Sequence, residues 1–104
     1  HSNLKGSKEY FFAFNQVFSK IHKNFKVPIF LSQTSLCGLN KTDPKLLAIQ
    51  NKIIVTMEGV FRGPNTDLLN DPKYRLPDRC HFSMLGFDRF SDLWVSRILD
   101  PSEK

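Results

Sequence analysis

The amino-acid sequence predicts an α/β fold with its elements in the order helix, strand, helix, strand, helix. Three observations predict it: segments in which apolar residues recur at intervals of three and four, two short continuous apolar runs between them, and Pro, Gly and Asn at the junctions. Strands that are apolar throughout read as parallel strands under helices, and their alternation with helices implies right-handed crossovers. Two strands do not make a stable parallel sheet. The chain therefore reads either as one piece of a larger sheet or as a protomer that completes its sheet by association.

Ser7 is the expected cap of the first helix, whose residues Tyr10, Phe11, Phe14, Val17, Phe18, Ile21 and Phe25 fall on one face with Lys8, Asn15, Lys20, Lys23 and Asn24 between them. Lys26-Val27-Pro28 stops it, because proline disfavours helical geometry in the residue before it. Ile29-Phe30-Leu31 follows as a short strand, expected to be covered on both faces, and leads into the polar Ser32-Gln33-Thr34-Ser35. Gly38, Asn40 and Thr42 make a loop. Asp43-Pro44 then supplies the cap and first residue of a second helix with Leu46, Leu47, Ile49, Ile53 and Ile54 as its buried face. Beyond Gly59, Val60-Phe61 is a minimal strand closed by Gly63-Pro64-Asn65. Thr66 to Pro77 is polar and carries Pro72 and Pro77, so it reads as a surface loop with a turn of helix at Asp67 to Asn70. Ser83 caps the last helix, whose apolar stripe is Leu85, Phe90, Leu93, Trp94, Ile98 and Leu99 ahead of Pro101.

A length of 104 residues, 40% hydrophobic and 24% charged, fits one globular domain and excludes a second. No apolar stretch is long enough to span a bilayer, and no signal segment stands at the N-terminus. The chain opens on His1, so it reads as part of something longer, and the compartment stays unknown. The net charge of +5 is uneven: through Lys52, eight Lys against Glu9 and Asp43 give +6, and from Ile53 on, seven basic residues against eight acidic ones give −1. Those Lys are interleaved with apolar residues at helical spacing, which describes a solvated helix face; neither nucleic acid nor membrane is the expected partner. His1, His22 and His81 show no metal-ligand spacing, and no cofactor is expected. Cys37 and Cys80 read first as two free, largely buried thiols, with a bridge as the alternative if both sit at neighbouring strand ends.

The candidate chemistry lies at the end of the long loop. Asp78 stands three residues before His81 on the way into a helix, a spacing that lets the carboxylate accept from one imidazole nitrogen and leaves the other to act as a general base. The plainer account is that Asp78 pairs with Arg79 or caps a turn while His81 is an ordinary loop histidine.

Asp78-Arg79-Cys80-His81-Phe82-Ser83, then Gly86, then Leu93-Trp94, resembles the last sequence block of the SGNH (GDSL-type) hydrolases. It looks most like the carbohydrate O-acetylesterase branch related to sialate O-acetylesterase, where a D-G-x-H-F-S-x-x-G stretch precedes a helix ending in Leu-Trp. Val27-Pro28-Ile29-Phe30-Leu31-Ser32-Gln33-Thr34-Ser35 with Cys37 resembles that branch's strand-and-loop segment. Ile49-Gln50 stands where an Ala-Gln pair is usual, and Gly63-Pro64-Asn65-Thr66-Asp67 resembles its "GPNTD" loop. The resemblance runs from about Tyr10 to Leu99 but covers only roughly the C-terminal half of the family's domain.

What the resemblance implies is a flavodoxin-like three-layer sandwich, with His81 as general base for a serine nucleophile and Asp78 orienting it. The implied substrate is an O-acetylated carbohydrate, with Asn65 and Asp67 at the rim of its pocket; a turn-forming role is the alternative for these two. Two departures stand out. Arg79 occupies a position where the family often has Gly, and the family's nucleophile and oxyanion blocks do not occur between His1 and Lys104. Ser35, in Gln33-Thr34-Ser35-Leu36-Cys37-Gly38, lacks the glycine neighbours of a strained nucleophile turn, and nothing in the sequence marks Cys37 as an activated thiol. The chain alone is thus expected to be inactive, the missing half or a second chain supplying the rest. The competing class is a non-catalytic binding or assembly module that uses the basic first half or the open sheet edge.

Overall fold

The structure, a computed structural model, describes residues 6–38 and 41–100. Asn40, Pro101 and His1 lie outside the described residues. The fold is mixed α/β: α1 (Ser7–Phe25), β1 (Ile29–Gln33), α2 (Pro44–Thr56), β2 (Val60–Asn65), two short 3-10 turns (Thr66–Leu68 and Pro72–Tyr74) and α3 (Met84–Leu99). Among the described residues no helix is long and apolar enough to cross a membrane.

Local chemistry sets most of these boundaries. The Asp43 carboxylate accepts from the backbone N–H groups of Lys45 and Leu46, with Pro44 in the first turn, as the sequence predicts. The Ser83 hydroxyl accepts from Gly86 N at 3.1 Å at the start of α3, again as predicted. For α1 the expectation is off by one residue. Gly6, not Ser7, occupies the capping position, and no side chain caps it. The helix ends at Lys26, whose left-handed backbone (φ 49°) turns the chain toward Pro28 while its N–H still reaches His22 O.

β1 and β2 are parallel, with Ile29 opposite Val60, Phe30 opposite Phe61 and Leu31 opposite Arg62. The register then slips, so that Gln33 faces Asn65 and β2 holds one extra residue. Ile29 and Leu31 pack against a buried cluster of Phe18, Ile49, Ile53, Ile54 and Val60, joining α1, α2 and the sheet in one core. Phe30 contacts Phe61 and, edge-on, Trp94 of α3. At the slip, a Cβ on Gly63 would lie 2.9 Å from both Ser32 N and Trp94 Cη2, so only glycine lets the indole approach the strands this closely.

Four expectations need correction. β1 has helices on both faces but is only half-buried along its length, because among the described residues it has β2 on one side and no third strand at its other edge. β2 does not stop at Phe61 but continues through Gly63-Pro64-Asn65. The segment 66–77 is a surface loop only in part: Leu68, Asn70 and Asp71 to Lys73 are exposed, but Thr66, Asp67, Leu69 and Arg75 are buried, because the segment packs against α3 and is fastened from within. On α3, Phe90, Leu93 and Trp94 are half-buried but Leu85, Ile98 and Leu99 are exposed, Leu99 by 78%; the helix leans on β2 and on the Pro72–Tyr74 turn through a single narrow stripe.

Candidate active site

The segment between the second 3-10 turn and α3 is a closed turn. Arg75 and Phe82 pair as an antiparallel bridge, Leu76 N donates to His81 O (2.8 Å) and Arg79 N to Leu76 O (2.8 Å). Ser83 fastens its base, its N–H on Tyr74 O (3.0 Å) and its hydroxyl on Lys73 O (2.6 Å). Closing so tight a turn puts Arg79 at φ 59°, the left-handed conformation that favours glycine.

At the tip, Asp78 Oδ1 accepts from Cys80 N (2.9 Å) and His81 N (3.1 Å), and Oδ2 lies 2.6 Å from His81 Nδ1. Asp78 thus caps the turn and orients the imidazole at once. The hydrogen bond from His81, helped by the backbone N–H groups of Cys80 and His81, lowers the Asp78 pKa to about 2. An ionised carboxylate can only accept, so Nδ1 carries the shared proton and Nε2 of a neutral ring is left with its lone pair, the arrangement a general base requires. Both side chains are open to solvent, His81 at 75% and Asp78 at 48%.

Asn65 and Asp67 occupy a different part of the molecule's framework. Asn65 Oδ1 accepts from Asp67 N (3.0 Å), starting the first 3-10 turn. The buried Asp67 carboxylate accepts from Ser35 N and Leu36 N, both at 2.8 Å, and from the Ser35 hydroxyl at 2.5 Å. Ser35 Oγ in turn accepts from Asp43 N, so this hydroxyl is committed to joining the loop after β1 to α2. The carboxylate's role is to hold the loops at the ends of the two strands together.

Three further fastenings complete the framework. Gln50, fully buried, pairs its carboxamide with both N–H and C=O of Thr34 (2.9 and 3.0 Å), extending the edge of β1 by a side-chain amide. Arg75 donates to Leu69 O, Cys80 O and Thr66 O at 2.7–2.8 Å and lies 4.5 Å above the Phe82 ring. Burial lowers its pKa, with Asp67 acting in the opposite sense. Nothing in sequence periodicity distinguishes Arg75 from the solvated cations around it. Finally, Cys37 and Cys80 are not free thiols but a disulfide, and beside it Gly38 N–H donates to Arg79 O across the same two loops.

Beside this framework lies a cavity of about 370 Å³ whose walls include Tyr10, Leu36, Leu46, Phe82, Phe90 and the disulfide. Neither Asp78 nor His81 lines it, and Asn65 lines a separate cavity with Leu68 and Leu93. The structure therefore joins Asp78 with His81 and Asn65 with Asp67, without bringing the two pairs into one pocket. Among the described residues no three His, Cys, Asp or Glu are grouped to hold a metal ion, and His22 stacks on Phe18. Comparison with protein-family models, curated proteins and solved structures yields no match.

Proposed function

We propose that this chain supplies the base-bearing, C-terminal part of a serine-type ester hydrolase acting on O-acetylated carbohydrates, within an SGNH-type α/β sandwich. The observation that carries the reading is the 2.6 Å contact between His81 Nδ1 and an Asp78 carboxylate anchored by two backbone N–H groups. In that chemistry a serine from outside these residues attacks the acetyl carbonyl while His81 Nε2 takes its proton. The same nitrogen returns the proton to the sugar oxygen as the acyl-enzyme forms, and then activates water to release acetate. Asp78 keeps the ring in the right tautomer and stabilises the imidazolium. The chain alone lacks the nucleophile and the oxyanion donors, which accounts for its expected inactivity.

The test uses a fluorophosphonate, which labels activated serines, on residues 1–104 and on the native polypeptide that carries them. The expected result is no adduct on residues 1–104. The native polypeptide is expected to give one adduct that is lost in His81→Ala, with hydrolysis of O-acetylated carbohydrates falling by about a hundredfold to ten-thousandfold. An adduct on the native polypeptide indifferent to His81, or a His81-dependent adduct on residues 1–104 alone, overturns the assignment. An assembly module is the second reading, favoured by β1 having one strand neighbour among the described residues; dimerisation insensitive to salt would support it.

A further inference from the structure

The Cys37–Cys80 disulfide is built into the turn that carries the Asp78–His81 pair. Cys80 sits between the left-handed Arg79 and His81; its N–H bonds to Asp78 and its C=O accepts from Arg75. On the far side of the bridge, Gly38 N–H holds Arg79 O at 3.2 Å. A backbone conformation unfavourable for an L side chain is thus followed directly by the bridge-bearing Cys80 and held at its carbonyl by Gly38, the neighbour of the other bridge cysteine. The bridge joins residues 43 apart in sequence, so it ties the loop after β1 directly to the turn that carries His81. It lies outside the buried cluster of Phe18, Ile49, Ile53, Ile54 and Val60, which does not depend on it for its contacts. Cys37 is exposed and Cys80 half-buried, within reach of a small thiolate.

We propose that the Cys37–Cys80 bridge is a thiol-operated switch on the Asp78–His81 pair: oxidised, it holds the turn in the geometry that joins them, and reduction releases it. In the reducing step a thiolate of a dithiol attacks one bridge sulfur and the Cys37–Cys80 bond breaks to leave a mixed disulfide. The second thiol of the reductant then closes its own ring. Two electrons and two protons pass to the protein, which ends with two thiols, and an oxidised dithiol reverses the step. The consequence for hydrolysis rests on the reading of Asp78 and His81 as a catalytic pair; the coupling of bridge to turn does not.

The experiment is amide hydrogen exchange by NMR on residues 1–104, oxidised and after dithiothreitol, with Cys37→Ser as the reductant-free counterpart. The amides of Gly38, Cys80 and His81 are expected to exchange at least about tenfold faster when the bridge is open, while those of Ile53 and Val60 keep their protection. Unchanged exchange at the three turn amides overturns the proposal. So does an equal rise at Ile53 and Val60, which would make the bridge a clamp on the whole fold. In the native polypeptide, acetylesterase activity that survives reduction despite loosened amides also overturns the switch. Loosened amides with no esterase activity in either state leave the coupling intact and defeat the hydrolase reading instead.

Discussion

Replacing Arg75 by Met asks how much of the candidate site is held by one side chain. Arg75 is 7% exposed and spans three carbonyls, those of Thr66, Leu69 and Cys80, so it ties the first 3-10 turn to the turn bearing His81. Hydrogen bonds from a charged donor are worth roughly 1.5–3 kcal/mol each, and three of them sum to about 5–9 kcal/mol before any cost is counted. Holding a guanidinium away from water offsets several kcal/mol of that, the same desolvation that lowers its pKa. A net loss of about 3 kcal/mol is expected for Arg75→Met, a large part of the roughly 5–15 kcal/mol that stabilises a typical domain. With a urea slope of roughly 1–3 kcal/mol/M, the unfolding midpoint falls by about 1–3 M. Arg75→Lys keeps the charge but not the fork, and is expected to recover less than half of the loss. Equilibrium urea unfolding of the three proteins followed by circular dichroism decides it. A midpoint for Arg75→Met equivalent to within about 0.5 kcal/mol of the parent would refute the reasoning, and full recovery in Arg75→Lys would show that charge, not geometry, matters.

Two further outcomes are expected. In Gly86→Ala the new methyl would collide with Tyr74 O and sit 2.9 Å from Tyr74 C, so α3 must move off the turn; a loss of about 1–3 kcal/mol should appear as a lower Tm, and an unchanged Tm would remove the close-packing argument. Asp78 has its pKa lowered to about 2, chiefly by the hydrogen bond from His81, so its contribution to stability is present above the ordinary carboxylate pKa near ~3.9 and is lost as pH falls through about 2. Relative to Asp78→Asn, the parent should therefore lose its advantage between about pH 4 and pH 2. Tm profiles that stay parallel across that window would contradict the pairing.

The features legible in the sequence are those made by neighbours in the chain. The Asp43-Pro44 and Ser83 helix starts, the helical spacing of the apolar residues of α1 and the Asp78-to-His81 spacing each involve residues no more than a few positions apart, where the backbone brings the partners within reach. Ser7 misled by one position because a serine signals a cap without saying whether the helix starts before or after it. Segment 66–77 misled at particular residues: its polar composition describes an exposed loop, which holds for Asn70 to Lys73, yet Asp67 and Arg75 are buried because each finds its partners inside.

What the sequence determined by itself is the element order, the caps of α2 and α3, the alternation that makes the sheet parallel, and the carboxylate–imidazole spacing. Only the tertiary structure decided that Asp67 would hold Ser35 and Leu36 across more than thirty residues, that Gly63 would admit Trp94, and that Cys37 would meet Cys80. The physical reason is that a parallel crossover carries the chain back across the sheet and returns the loops after β1 and β2 to the same end of it. Residues remote in sequence become neighbours there, and whether a polar side chain is solvated or buried depends on which loop arrives opposite it.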